Sequence, residues 1–121
     1  MAQDYRGLKV WQKAVDLTVL IFKLTRSFPK SEMYGLTSQM RRASVSISSK
    51  IAEGRGRINA GEIRQFLSVA RSSTCKLLTQ IHVARALEFR NFRVLDEAEK
   101  MRNDTSKMLL AFIQTLTTTA R

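Results

Sequence analysis

Residues that break regular structure are confined to a few points of this 121-residue chain. The only proline is Pro29, and the five glycines are Gly7, Gly35, Gly54, Gly56 and Gly61. Between them, apolar residues recur at steps of three and four, the helical period, with no strand-like alternation. Long uninterrupted helical stretches separated by brief punctuation restrict the chain to an all-α fold.

The first stretch carries the column Val10, Ala14, Leu17, Ile21, Leu24, Phe28, with Trp11, Val15, Thr18, Phe22 and Thr25 running beside it. Together they make a stripe wider than one helical partner requires. Either this helix sits between two neighbours, or part of its face, including Trp11 and Phe22, serves a contact between subunits. Phe28-Pro29-Lys30-Ser31 stops it, because proline disfavours the α conformation in the residue before it. A second helix is predicted from Tyr34 or Leu36 to Glu53, with Leu36, Met40, Ala43, Ile47 and Ile51 on one face. Its serines at 44, 46, 48 and 49 are mediocre helix formers, so tertiary packing must hold it. Gly54 is expected to end it as a left-handed residue.

Asn59 is a fair N-cap for a third helix, with Glu62 three positions later as in a capping box. That helix is predicted to run to about Leu87 through Ile63, Leu67, Ala70, Thr74, Leu77, Ile81 and Ala84. A fourth begins between Asn91 and Leu95 and carries Val94, Ala98, Met101, Thr105, Met108, Phe112 and Leu116. The break at Glu88–Asp96 contains neither Gly nor Pro, yet one unbroken helix of over 50 residues does not suit so small a domain. Four helices of roughly 18 to 28 residues with short loops imply an antiparallel up-and-down four-helix bundle, a single domain over residues 1–121.

Catalytic signals are missing from the sequence. His82 is the only histidine and Cys75 the only cysteine, two helical turns or roughly 10 Å apart, too far for a nucleophile pair within one helix. His82 reads as a boundary residue and Cys75 as a small helix residue, and no third ligand stands at metal-binding spacing. Asp96, Glu97, Glu99 and Asp104 interleave with Lys100, Arg102 and Lys107 as on a solvated face. Gly54 and Gly56 lack the context of a phosphate loop. Glu53 reads as a loop-holding acid beside Arg55 and Arg57. The expectation is no enzyme, no metal and no cofactor.

A lone cysteine gives no disulfide framework. The longest strongly apolar stretch, Leu17 to Leu24, falls short of the ~20 residues of a membrane span. The N-terminus, with Asp4 and Arg6, shows no signal core. A cytoplasmic protein with no membrane partner is expected.

The charge is the distinctive feature. Twenty-one Lys and Arg oppose ten Asp and Glu, a net +11. Residues 1–90 hold +10 of it and residues 91–121 only +1. Such an excess points to a polyanion, nucleic acid first. The candidate contacts are Arg41, Arg42, Lys50, Arg55, Arg57, Arg64 and Arg71, of which Arg64 and Arg71 share one side of the third helix with Arg85. Guanidinium forks suit phosphate and carry no base information. Most of the nine aromatic residues fit the apolar columns, which argues for backbone-dominated binding. The competing reading is a solvated basic surface, or arginines paired with acids of a neighbouring subunit.

The run Gln39-Met40-Arg41-Arg42-Ala43-Ser44-Val45-Ser46-Ile47, followed by Ile51-Ala52-Glu53-Gly54-Arg55-Gly56-Arg57, resembles the bacterial four helix bundle protein family. Its members were first noticed as reading frames in intervening sequences of large-subunit ribosomal RNA genes. Leu8-Lys9-Val10-Trp11-Gln12-Lys13-Ala14, Phe28-Pro29, Glu32, Tyr34-Gly35-Leu36 and Phe66-Leu67 through Ala70 extend the likeness in the same order. Departures fall at Lys50, where the family often has Asn, and at Lys76 and Leu78, where it tends to have Glu. The resemblance implies the same up-and-down bundle, no enzymatic activity, and ring-forming homo-oligomers, with pentamers expected. A related branch, the accessory proteins of diversity-generating retroelements, implies a reverse transcriptase and RNA as candidate partners. The resulting expectation is a non-enzymatic, basic, oligomeric protein binding RNA or DNA backbone as an accessory factor, RNA slightly ahead. The alternative is a structural or adaptor homo-oligomer whose partner is another protein.

Overall fold

The computed structural model describes residues 8–89 and 91–119. Four helices follow one another: α1 (Lys9–Thr25), α2 (Leu36–Arg55), α3 (Ala60–Ala86) and α4 (Phe92–Thr119), with a 3₁₀ turn at Lys30–Glu32. Each packs on its neighbours in sequence and α1 also packs on α4, whereas the diagonal pairs α1/α3 and α2/α4 do not meet among the described residues. The arrangement is a four-cornered up-and-down bundle, as the apolar periodicity predicts.

The predicted columns of α1 and α2 are buried throughout: Val10, Ala14, Leu17, Ile21, Leu24 and Phe28 face Leu36, Met40, Ala43, Ile47 and Ile51 in one core. On α3 the column from Leu67 to Ala84 is buried, and Ile63 packs against the core from its edge. The wide stripe of α1 follows from its position between α2 and α4. Its second column meets α2 partly through polar contacts. Thr18 donates from Oγ1 to the Ser44 carbonyl at 3.0 Å, and Thr25 Oγ1 accepts from Arg41 Nε at 2.9 Å. On α4 the fully buried residues are Leu95, Ala98, Thr105 and Leu109, so Leu95 and Leu109 join the core. Val94, Met101, Met108, Phe112 and Leu116 are only half-buried around them.

One serine of α2, Ser46, finds its reason at the α3 interface. Ser46 and Ser73 hydroxyls lie 3.0 Å apart across it, a contact that only small side chains permit. Gly54 corrects an expectation. It lies inside α2, buried, with no positive φ, and α2 continues to Arg55 with Gly56 as its C-cap. A Cβ at Gly54 would stand 2.9 Å from the Phe66 Cβ. The missing side chain therefore permits close helix approach and has no role in turning the backbone. Gly7 lies outside the described residues.

Asn59 caps α3, its side chain accepting from the Glu62 N–H at 2.8 Å. The break before α4 is built without glycine. Glu88 takes φ 58° and Asn91 φ 80°. Glu88 N–H donates to the Arg85 carbonyl at 2.9 Å and Phe89 N–H to the Ala84 carbonyl at 3.2 Å, the paired bonds of a Schellman motif. Phe89 then packs its ring on Phe28, centroids 4.9 Å apart, tying the α3–α4 connection to the α1–α2 connection at the same end of the bundle.

Candidate nucleic-acid interface

The predicted basic residues occupy different faces, and one end of the bundle gathers most of them. Where α2 turns into α3, the ring of Phe66 carries two cations: the Arg57 guanidinium 4.6 Å and the Lys50 ammonium 5.7 Å from its centroid. Each such contact contributes about 0.5–1 kcal/mol at a partly exposed site and orders a long side chain that would otherwise be free. Arg55 closes α2 and is half-buried, and Arg64 stands in the first turns of α3, also half-buried. The turn is compact because Gly56 N–H donates back to the Ala52 and Glu53 carbonyls, and Arg57 N–H donates to that of Gly54. Glu53 meets Lys50 here at 3.5 Å.

Arg41 lies in the α1–α2 seam, its guanidinium 4.8 Å over the Phe22 ring. Arg42 is exposed and lines an open groove of about 1010 Å³ between α2 and α3, which Lys76 also lines. Arg71 borders a smaller groove between α3 and α4, beside Ser68 and Ile113. Arg71 and Arg85 of the α3 arginine column therefore turn toward α4. Arg85 reaches Asp96 at 2.8 Å and Glu99 at 2.9 Å. Hydrogen bonds to Glu99 first, then Asp96, hold its guanidinium above its ordinary pKa. Arg102, on the same seam, is pushed below its ordinary value by burial, with the nearby Arg71 charge acting the same way. Part of the positive charge is thus internal to the fold, while Arg57 at the α2–α3 turn and Arg42 and Lys76 along the α2–α3 groove are exposed.

Two residues escaped the sequence reading. Tyr34 is 96% and Phe92 56% exposed, both at the end of the bundle opposite the α2–α3 turn. In the sequence they adjoin the apolar columns and pass for core. Their positions just before α2 and at the first residue of α4 were the available signal, since a residue at a helix start need not follow the buried stripe. Cys75 and His82 are both exposed. Among the described residues no group of three His, Cys, Asp or Glu could hold a metal ion, and no helix is long and apolar enough to cross a membrane.

The sequence matches, over residues 6–111, the family described as 23S rRNA-intervening sequence protein. The chain belongs to that family. The match to the 23S rRNA-intervening sequence protein family takes in α1, α2, α3, the α2–α3 turn and α4 as far as residue 111. No curated protein matches the chain.

Proposed function

We propose that this family member is a non-enzymatic accessory protein of the cytoplasm that binds nucleic acid through backbone phosphates, RNA ahead of DNA. The observation that carries the reading is the α2–α3 turn, where Lys50 and Arg57 are ordered over Phe66 close to Arg55 and Arg64 in the chain, with Glu53 paired to Lys50. A guanidinium held over a ring can still offer N–H groups to two phosphate oxygens. Phosphate contact of this kind is strong at low salt and indifferent to sequence. The family's name, which speaks of intervening sequences of 23S rRNA, favours RNA as the partner. The related retroelement accessory proteins make a reverse transcriptase the protein partner to test.

A ring of identical subunits, with a pentamer proposed, would repeat the basic end around an axis and let weak contacts add by avidity. Native mass measurement tests this part separately, and a strict monomer removes the ring while leaving single-subunit binding in place.

Arg57→Glu tests the site itself, because the side chain is exposed and its reversal leaves the core alone. Arg55 is half-buried and less suitable. Fluorescence anisotropy with a structured RNA and a duplex DNA should show weaker binding to both, with the salt slope reduced by about one. Unchanged affinity would remove the α2–α3 turn from the interface.

A further inference from the structure

We propose that the opposite end of the bundle is a stacking platform for unpaired bases, so that the protein grips single-stranded nucleic acid by its bases as well as its phosphates. The inference rests on the nucleic-acid reading for the class of partner, but it uses different residues. α2 is 20 residues long, which places this end about 30 Å from the α2–α3 turn.

Tyr34 lies on the α1–α2 connection and Phe92 is the first residue of α4 at the same end, with the two residues 96% and 56% exposed. The buried Phe28 ring packed on Phe89 joins the two connections at this end of the bundle. A fully exposed tyrosine ring does not serve the fold, since it buries no area. Arg26, Lys30 and Arg93 are exposed at the same end and form no ion pair among the described residues. Of the acids there, Glu32 accepts the Leu36 N–H at the start of α2 at 3.2 Å, and Glu88 is exposed, so the three cations outnumber these two carboxylates. Aromatic faces beside unpaired cations are the combination that holds single strands: bases stack on the rings and the cations follow the phosphates. An A-form duplex cannot use the rings, because its bases are already stacked.

The test is anisotropy with three probes: a 15-nucleotide oligoadenylate, an abasic backbone of the same length and charge, and a duplex RNA. The wild-type protein should bind the oligoadenylate about tenfold or more tighter than the abasic strand, as one stacked base or more requires. Tyr34→Ala with Phe92→Ala should abolish that difference while duplex affinity stays unchanged. Tyr34→Trp, which keeps a ring, should retain it. Both side chains lie outside the core, and an unchanged melting temperature confirms that the variants fold.

Equal binding of oligoadenylate and abasic strand by the wild type would overturn the platform and leave the phosphate reading standing. So would a base preference that survives the double variant. Failure to bind any probe would overturn both. Binding to anionic phosphatidylserine vesicles that depends on Tyr34 and Phe92, with no base preference, would assign this end to a membrane surface and overturn the proposal.

Discussion

Gly54 of α2 packs tightly against Phe66 of α3: a methyl group added to Gly54 would lie 2.9 Å from the Phe66 Cβ. In an exposed helix interior, Gly→Ala adds about 1 kcal/mol of stability. Here the sign reverses. Gly54→Ala should lower stability by about 1–3 kcal/mol through overpacking, read as a lower urea midpoint. Because Phe66 carries Arg57 and Lys50, the same variant should also weaken RNA binding. A gain in stability would show that the helices can separate without cost.

Glu88 holds a left-handed conformation, φ 58°, at the position of a Schellman motif that glycine usually occupies. Glu88→Gly should raise stability by about 1 kcal/mol by removing the steric penalty of a Cβ, partly offset by the greater freedom of glycine in the unfolded chain. Thermal unfolding measures it, and a fall in the midpoint would mean that the Glu88 side chain holds the turn in some other way.

Arg85 bridges α3 to Asp96 and Glu99 of α4. Arg85→Gln should cost about 1 kcal/mol at low salt and less at high salt, as a partly exposed ion-pair network does. Its folded pKa is raised, so its contribution is fully present below the unfolded value and is lost only as pH rises through the still higher folded one. Between pH 7 and about pH 10, both below the ordinary range of arginine, the loss in Arg85→Gln should stay constant. A loss that shrinks over that interval would contradict the assignment.

The bundle was largely legible in the sequence because three helices bury one clean column each: every residue of the first column of α1, Val10 to Phe28, and of the α2 column, Leu36 to Ile51, is in the core. On α4 the period is blurred by adjacent apolar pairs, Val94-Leu95 and Met108-Leu109, and tertiary packing chooses the second of each pair for full burial. Gly54 was misread because a buried close approach and a left-handed terminus both call for glycine, and spacing alone cannot separate them. The α3–α4 break escaped residue-type rules because Glu88 and Asn91 take positive φ where glycine was the expected signal. Spacing put Arg64, Arg71 and Arg85 on one side of α3. It could not show that α4 lies against that side, or that its acids engage Arg85. The cation pair over Phe66 joins residues on two helices, a relation that no local pattern contains.

The most direct test of the account is a salt titration of the wild-type protein against a structured RNA and a matched duplex DNA by fluorescence anisotropy, from about 50 to 200 mM. Lys50, Arg55, Arg57 and Arg64 acting on four phosphates predict a log–log slope of about −3 or steeper on the duplex, with RNA bound more tightly than DNA. Absence of binding at the lowest salt, or a slope near zero, would mean that the net charge of +11 is surface charge alone and would contradict the nucleic-acid reading.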